Sequence, residues 1–263
     1  MTDLDARSAE LAAGLASVRA RIRAACEAAG RDPQEVTLVV VTKFFPAADV
    51  LRLARLGVTD IGENRDQEAA AKVAELTELI AGASAEGGEP VALPRVHFIG
   101  QLQTNKAGSV ARYADVVHSV DRERLVRSLQ RGAEAAGRTL DVLLQVNLDD
   151  EGASAASGAA GAARGGADAR GGVAPTQVSA LAESVADCGA LRLGGLMGVA
   201  PLGGDAAAAF ERLAAVSREL RATYPEADLL SAGMSGDLEA AIAAGATHLR
   251  VGSAILGSRP ARG

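Results

Sequence analysis

Thr37-Leu38-Val39-Val40-Val41-Thr42-Lys43 runs apolar and β-branched from Leu38 to Val41, with no alternation of polar and apolar positions. A half-exposed strand alternates, whereas a strand buried on both faces reads as a continuous run. This run ends in an amine, and Phe44-Phe45-Pro46 then breaks it. Seven comparable segments follow: Asp60–Glu63, Arg95–Gly100, Val116–Val120, Asp141–Asn147, Leu193–Val199, Leu229–Met234 and His248–Ile255. Helical stretches lie between them, among them Ala47–Leu56, Arg65–Leu79, Arg122–Ala136, Gln177–Asp187, Ala206–Tyr224 and Asp237–Ala244. Buried strands alternating with helices mean a parallel sheet covered on both faces. Eight of them in a chain of 263 residues give an α/β fold, a single (β/α)8 TIM barrel. The competing open, doubly wound sheet lacks support, because no Gly-rich dinucleotide fingerprint follows the first strand. An extra helix from Leu4 to Gly30, with Leu11, Leu15, Val18 and Ile22 at helical spacing, precedes the barrel.

Composition narrows the function. Hydrophobic residues make up 48% but aromatics only 2%, with no Trp, so Ala, Leu, Val and Ile must fill the core. A net charge of −6 with mixed signs argues against nucleic acid and anionic membranes as partners. Cys26 and Cys188 are isolated, in neither a metal nor a redox spacing, and the N-terminus has no apolar signal core. The expectation is a cytoplasmic, monomeric protein whose residues 1–263 form one domain. Two stretches, 82–94 and 152–174, read as mobile loops. The second is almost wholly Gly, Ala and Arg and buries too little to offset its ordering entropy.

Of the 27 basic residues only three are lysines, and Lys43 stands at a strand end. A partly desolvated lysine loses its proton and attacks a carbonyl, which arginine cannot do. Two readings of Lys43 stand at this point: a Schiff-base amine, or an amine that snorkels to water. In a barrel the strand ends carry the chemistry. Here they are polar: Gly62-Glu63-Asn64, His118-Ser119-Val120-Asp121, Gln145-Val146-Asn147, Ser231-Ala232-Gly233-Met234-Ser235-Gly236-Asp237 and Arg250-Val251-Gly252-Ser253. Ser235 at a strand-to-helix turn is by itself an N-cap. Joined with Gly252-Ser253 in the next loop it makes a phosphate cradle of the kind this fold builds after strands seven and eight. An amine facing a phosphate cradle suits a phosphorylated aldehyde, and pyridoxal phosphate is one.

The same motifs carry a resemblance. Val41-Thr42-Lys43, Gly62-Glu63-Asn64 with Gln67-Glu68, His97-Phe98-Ile99-Gly100-Gln101-Leu102-Gln103-Thr104-Asn105-Lys106, Gly195-Leu196-Met197, Ser231 to Asp237 and Arg250 to Ser253 resemble the pyridoxal-phosphate homeostasis protein family. That family is similar to the barrel domain of alanine racemase. The resemblance implies pyridoxal phosphate as cofactor, held by Lys43 as an internal aldimine. It implies that Arg250 faces the pyridine nitrogen, where a guanidinium leaves the ring unprotonated and a poor electron sink. Ser235, Gly252 and Ser253 then hold the phosphate, Ser231 and Gly233 support them, Asn64 lies beside the ring and Met234 packs near it. The implied role is buffering the cofactor and delivering it to apo-enzymes that depend on it.

The alternative is a minimal racemase or lyase. Alanine racemase brings a tyrosine base from a second domain. Here only six residues follow Gly257, and Tyr113 and Tyr224 fall at or within helices. Asp237 reads as a helix cap, Glu63 as a residue that orients loops, and His97, His118 and His248, on different strands, as histidines that satisfy core or strand-start hydrogen bonds. Lys72 lies on a helix, and Lys106, in the loop after strand three, is a weak second amine for a transfer step.

Overall fold

The computed structural model describes residues 3–85, 90–149 and 171–258. Eight parallel strands close a barrel in chain order: β1 (Thr37–Val41), β2 (Asp60–Glu63), β3 (Arg95–Phe98), β4 (Val116–Val120), β5 (Leu140–Gln145), β6 (Leu191–Met197), β7 (Leu229–Ser231) and β8 (His248–Val251). β8 closes on β1 with Thr37 opposite His248 and Val39 opposite Arg250. Val41 lies opposite Gly62, which places Lys43 and Asn64 together just beyond the ends of β1 and β2. The long helices between strands are Ala47–Arg55, Asp66–Ala85, Glu123–Ala136, Val178–Ala186 and Ala206–Thr223.

The packing follows the composition. Valine, leucine and isoleucine fill the core, and Phe98 and Phe210 are its bulkiest fully buried side chains. The helix Asp3–Ala28 buries Leu11, Leu15, Val18, Ile22 and Cys26, the stripe its spacing predicts. It packs on the short helices Leu238–Ala243 and Ser253–Leu256, so it braces the elements that follow β7 and β8.

Several boundaries differ from the expectation. β1, β7 and β8 end two to four residues early: the chain turns at Lys43–Phe44 after β1 and at Ser235–Asp237 after β7, and Ser253–Leu256 coils into a helix after β8. The stretch 82–94 is not all loop: alanines on either side of Gly82 carry the preceding helix on to Ala85. Residues 152–170 lie outside the described residues. The rest of that stretch is anchored, since Gln145 Nε2 donates to Gly171 O at 2.6 Å and buried Val173 pairs with Val146 beyond β5.

Candidate functional site at the strand ends

Lys43 sits in a turn, two residues beyond the strand it was expected to close. Phe45 N–H bonds back to Thr42 O at 3.1 Å, and Phe44 takes a left-handed φ of 72°. That conformation costs a bulky residue energy, so something must hold it. Phe44 N–H donates to the Glu68 carboxylate, and Lys72 Nζ donates to Thr42 O at 2.8 Å. Lys72 also bonds Glu63 Oε1 at 2.6 Å, and the Thr42 hydroxyl donates to the same oxygen at 2.6 Å. The lysine sequence reasoning set aside is therefore a buried brace under the turn that carries Lys43. Burial pushes the Glu63 carboxyl up, against the pull of the Lys72 amine and Thr42 hydroxyl. Lys43 itself is half-buried, with Nζ 6.0 Å from the Phe44 ring centre, and the Arg65 guanidinium lies 5.4 Å from the same ring.

Across the rim, the turns after β7 and β8 come together. Ser235 Oγ and Ser253 Oγ stand 3.4 Å apart, one hydroxyl from each turn. Two glycines make this approach possible. Gly233 has φ +86°, and a Cβ there would meet Ala241 Cβ at 2.6 Å. A Cβ on Gly252 would meet Val41 O at 2.9 Å, so only glycine brings the β8 turn against β1. Asp237 stands at the N-cap of Leu238–Ala243, but its carboxylate makes no capping bond: it accepts from Met234 N–H at 2.6 Å and closes the turn around Ser235. Arg21, from the N-terminal helix, donates to Ser235 O at 3.0 Å and pairs with Glu239. Met234 is 39% exposed at the same rim. Asn64 lines a cavity of about 510 Å³ with Phe98, Gln101, Leu102, Gln103 and Lys106, at the ends of β2 and β3. Lys43, Arg250 and the serine pair do not line that cavity.

Inside the barrel, Arg250 is buried and spends its guanidinium on Ser231 Oγ (2.5 Å) and Gly198 O (2.9 Å). Burial pushes its pKa down to about 10, against Asp237. Ser231 thus belongs with Arg250 and not with the Ser235–Ser253 pair. The histidines satisfy core hydrogen bonds, two of them with each other. His97 bonds His118 (2.8 Å) and Asp60 (2.8 Å), His118 bonds Ser231 (3.0 Å), and the His248 ring lies 5.9 Å from that of His97. Sequence spacing could not disclose this, because the partners lie 21 to 113 positions apart. Tyr113 OH reaches Asp66 at 3.4 Å, and burial, followed by Asp66, pushes its phenol up. Among the described residues no cluster of His, Cys, Asp and Glu is placed to hold a metal. No helix there is long and apolar enough to cross a membrane.

The chain's motifs and barrel have relatives. Residues 14–260 match the family model described as alanine racemase, N-terminal domain. The pyridoxal phosphate homeostasis protein of Mycobacterium bovis is 45% identical over 262 residues, covering 97% of this chain and 95% of its own. Its namesake in Escherichia coli is 36% identical over 253 residues, covering 95% and 97%. This chain belongs to the pyridoxal phosphate homeostasis protein family. Among solved structures, PipY of Synechococcus elongatus with PLP bound is 32% identical, with a TM-score of 0.73 over 94% of this chain and 100% of its own. The family's barrel is the one described above.

Proposed function

We propose that this chain binds pyridoxal 5′-phosphate through Lys43, buffers it inside the cell, and releases it to apo-enzymes without turning over a substrate of its own. The observation that carries the reading is the Ser235–Ser253 hydroxyl pair, 3.4 Å apart on the rim that also bears the braced Lys43 turn. The bound PLP of PipY and the names of the relatives support it.

The residues fit the group. Bound, the cofactor supplies an aldehyde that condenses with a primary amine and a phosphate that needs donors. Lys43 provides the amine on a turn whose backbone is fixed by Lys72 and Glu68. Ser235, Ser253 and the backbone beside Gly233 and Gly252 provide close-lying donors. Asn64 and Met234 would flank the ring from the ends of β2 and β7. Arg250, facing the ring nitrogen, would donate to it and cannot accept from a protonated ring, which favours the unprotonated form.

The same features weigh against catalysis. A racemase or lyase needs a base at the reacting carbon. Tyr113 is engaged with Asp66 and its phenol is pushed up, Glu63 is locked under Lys72, and Asp237 is tied to Met234 N–H. The test is an absorbance spectrum of purified protein before and after borohydride, with peptide mapping, followed by incubation with each amino acid. A reduced cofactor on the Lys43 peptide and no turnover above that of free cofactor are expected. A cofactor fixed mainly on Lys106, or clear turnover, would overturn the respective half of the proposal.

A further inference from the structure

Five strands each send one polar side chain into a single hydrogen-bonded row. Arg250 (β8) donates to Ser231 Oγ (β7) at 2.5 Å, Ser231 meets His118 Nδ1 (β4) at 3.0 Å, His118 Nε2 meets His97 Nδ1 (β3) at 2.8 Å, and His97 Nε2 meets Asp60 Oδ1 (β2) at 2.8 Å. β4 and β7 are not neighbours in the barrel, so the His118–Ser231 contact crosses its interior. Every member is buried, and His97, His118 and Ser231 are fully so. A second bond anchors each end: Arg250 to Gly198 O at 2.9 Å, and Thr59 Oγ1 to Asp60 Oδ2 at 2.7 Å.

The donors and acceptors fix the direction of the row. Arginine can only donate, so Ser231 Oγ accepts. Its one hydrogen then has a single remaining partner among the described residues, His118 Nδ1. A bare Nδ1 puts the His118 proton on Nε2, where it is donated to His97 Nδ1. His97 must then carry its proton on Nε2 and donate it to the Asp60 carboxylate. Run the other way, the row leaves the Ser231 hydroxyl hydrogen without an acceptor in a buried site, at a cost of about 1–3 kcal/mol.

We propose that Asp60, His97 and His118 are positioning residues for Arg250, forming a one-way hydrogen-bond row that couples a carboxylate at the barrel floor to the guanidinium at its mouth. The arrangement is an ion pair bridged by three neutral side chains. Its consequence for the cofactor rests on the reading above, in which Arg250 faces the ring nitrogen. The surroundings of Asp60 and His118 suit an ionised carboxylate and a neutral ring. Burial pushes the Asp60 carboxyl up, but the His97 and Thr59 bonds, with Arg95 nearby, hold it below its usual range. Burial, with His97, Arg250, His248 and Arg95 around it, keeps His118 well below the usual histidine value. Asp237 is the acid facing Arg250 from the β7 turn.

The test begins on cofactor-free protein, whose three histidines are readily assigned by nitrogen-15 labelling. Long-range proton–nitrogen spectra near neutral pH should show His97 and His118 as neutral rings protonated on Nε2. An imidazolium at either, or an Nδ1–H ring at His118, overturns the row. Asp60→Asn then removes the distant charge. In the loaded protein the pH midpoint of the cofactor's visible band should fall by about one unit, since the lost carboxylate no longer favours cations in the interior. Asp60→Glu should restore most of it. An unchanged midpoint in folded Asp60→Asn overturns the coupling, and if that variant does not fold the histidine spectra decide. Wild-type protein that never takes up pyridoxal phosphate defeats the proposed function and leaves the histidine result standing.

Discussion

Replacing Lys72 by methionine tests the brace beneath Lys43. The side chain keeps its length and loses the amine that bonds Thr42 O and Glu63 Oε1. Lys72 and Glu63 side chains are only 5% and 0% exposed, so water cannot take over the charge. Removing one partner of a buried pair costs about 3–5 kcal/mol. In a barrel of this size that lowers Tm by roughly 6–20 °C. The sign of its pH dependence follows from Glu63. Burial already pushes this carboxyl up, and without Lys72 it rises further. A group whose folded pKa is raised stabilises at low pH and loses that contribution as pH climbs through the folded value. Lys72→Met should therefore lose more stability at about pH 8 than at about pH 5.5. Adding Glu63→Gln removes the stranded charge and should recover at least about 1–2 kcal/mol. Thermal melts of the three proteins, at both pH values and without cofactor, measure all of this. A Lys72→Met protein as stable as wild type, or a double variant no better than the single one, would falsify the brace.

Further outcomes are expected. Lys43→Ala should abolish the cofactor mass fixed by borohydride while leaving the circular dichroism spectrum intact; persistent fixation would relocate the amine. Ser235→Ala with Ser253→Ala should weaken pyridoxal phosphate binding on the order of a hundredfold, from two charge-assisted hydrogen bonds at roughly 1.5–3 kcal/mol each, and leave pyridoxal almost unaffected. Equal losses for both ligands in a spectral titration would mean the serines serve the fold. Acid should destabilise the barrel below about pH 6.5, because buried His248 titrates only near 4. Between these values the unfolded chain holds the extra proton, so denaturant melts should lose about 3 kcal/mol from this group on descending to pH 4; a His248→Asn protein with the same acid slope would refute that source. Sedimentation should give a monomer of 26.5 kDa.

The barrel was legible because its signals are local. Eight buried runs with polar breaks between them set the strand count, and β2 and β4 begin and end where the sequence reading put them. Strand ends were misread at the functional rim, where Phe44 and Gly233 take positive φ and the chain turns while the residues stay apolar. Asp237 sits where a cap belongs, yet its carboxylate serves Met234 N–H, a choice set by the tight turn that brings Ser235 toward Ser253. The rarity of lysine pointed to Lys43 and applied equally to Lys72. What hid Lys72 was its partner, Glu63, on a neighbouring strand.

The two buried polar systems missed in this way share a logic. Each is costly to bury, and well-packed hydrophobic residues of similar volume often serve a fold as well or better. Each ends on a residue that must hold a fixed position at the mouth: Lys72, Glu63 and Thr42 on the Lys43 turn, and Asp60, His97, His118 and Ser231 on Arg250. An apolar core could support the barrel but could not orient an amine or a guanidinium, since only directional bonds do that. Conserving the strand pattern while replacing either set by hydrophobic residues should therefore give a barrel that folds and binds the cofactor poorly. That separation of stability from binding is what distinguishes supports for a site from packing.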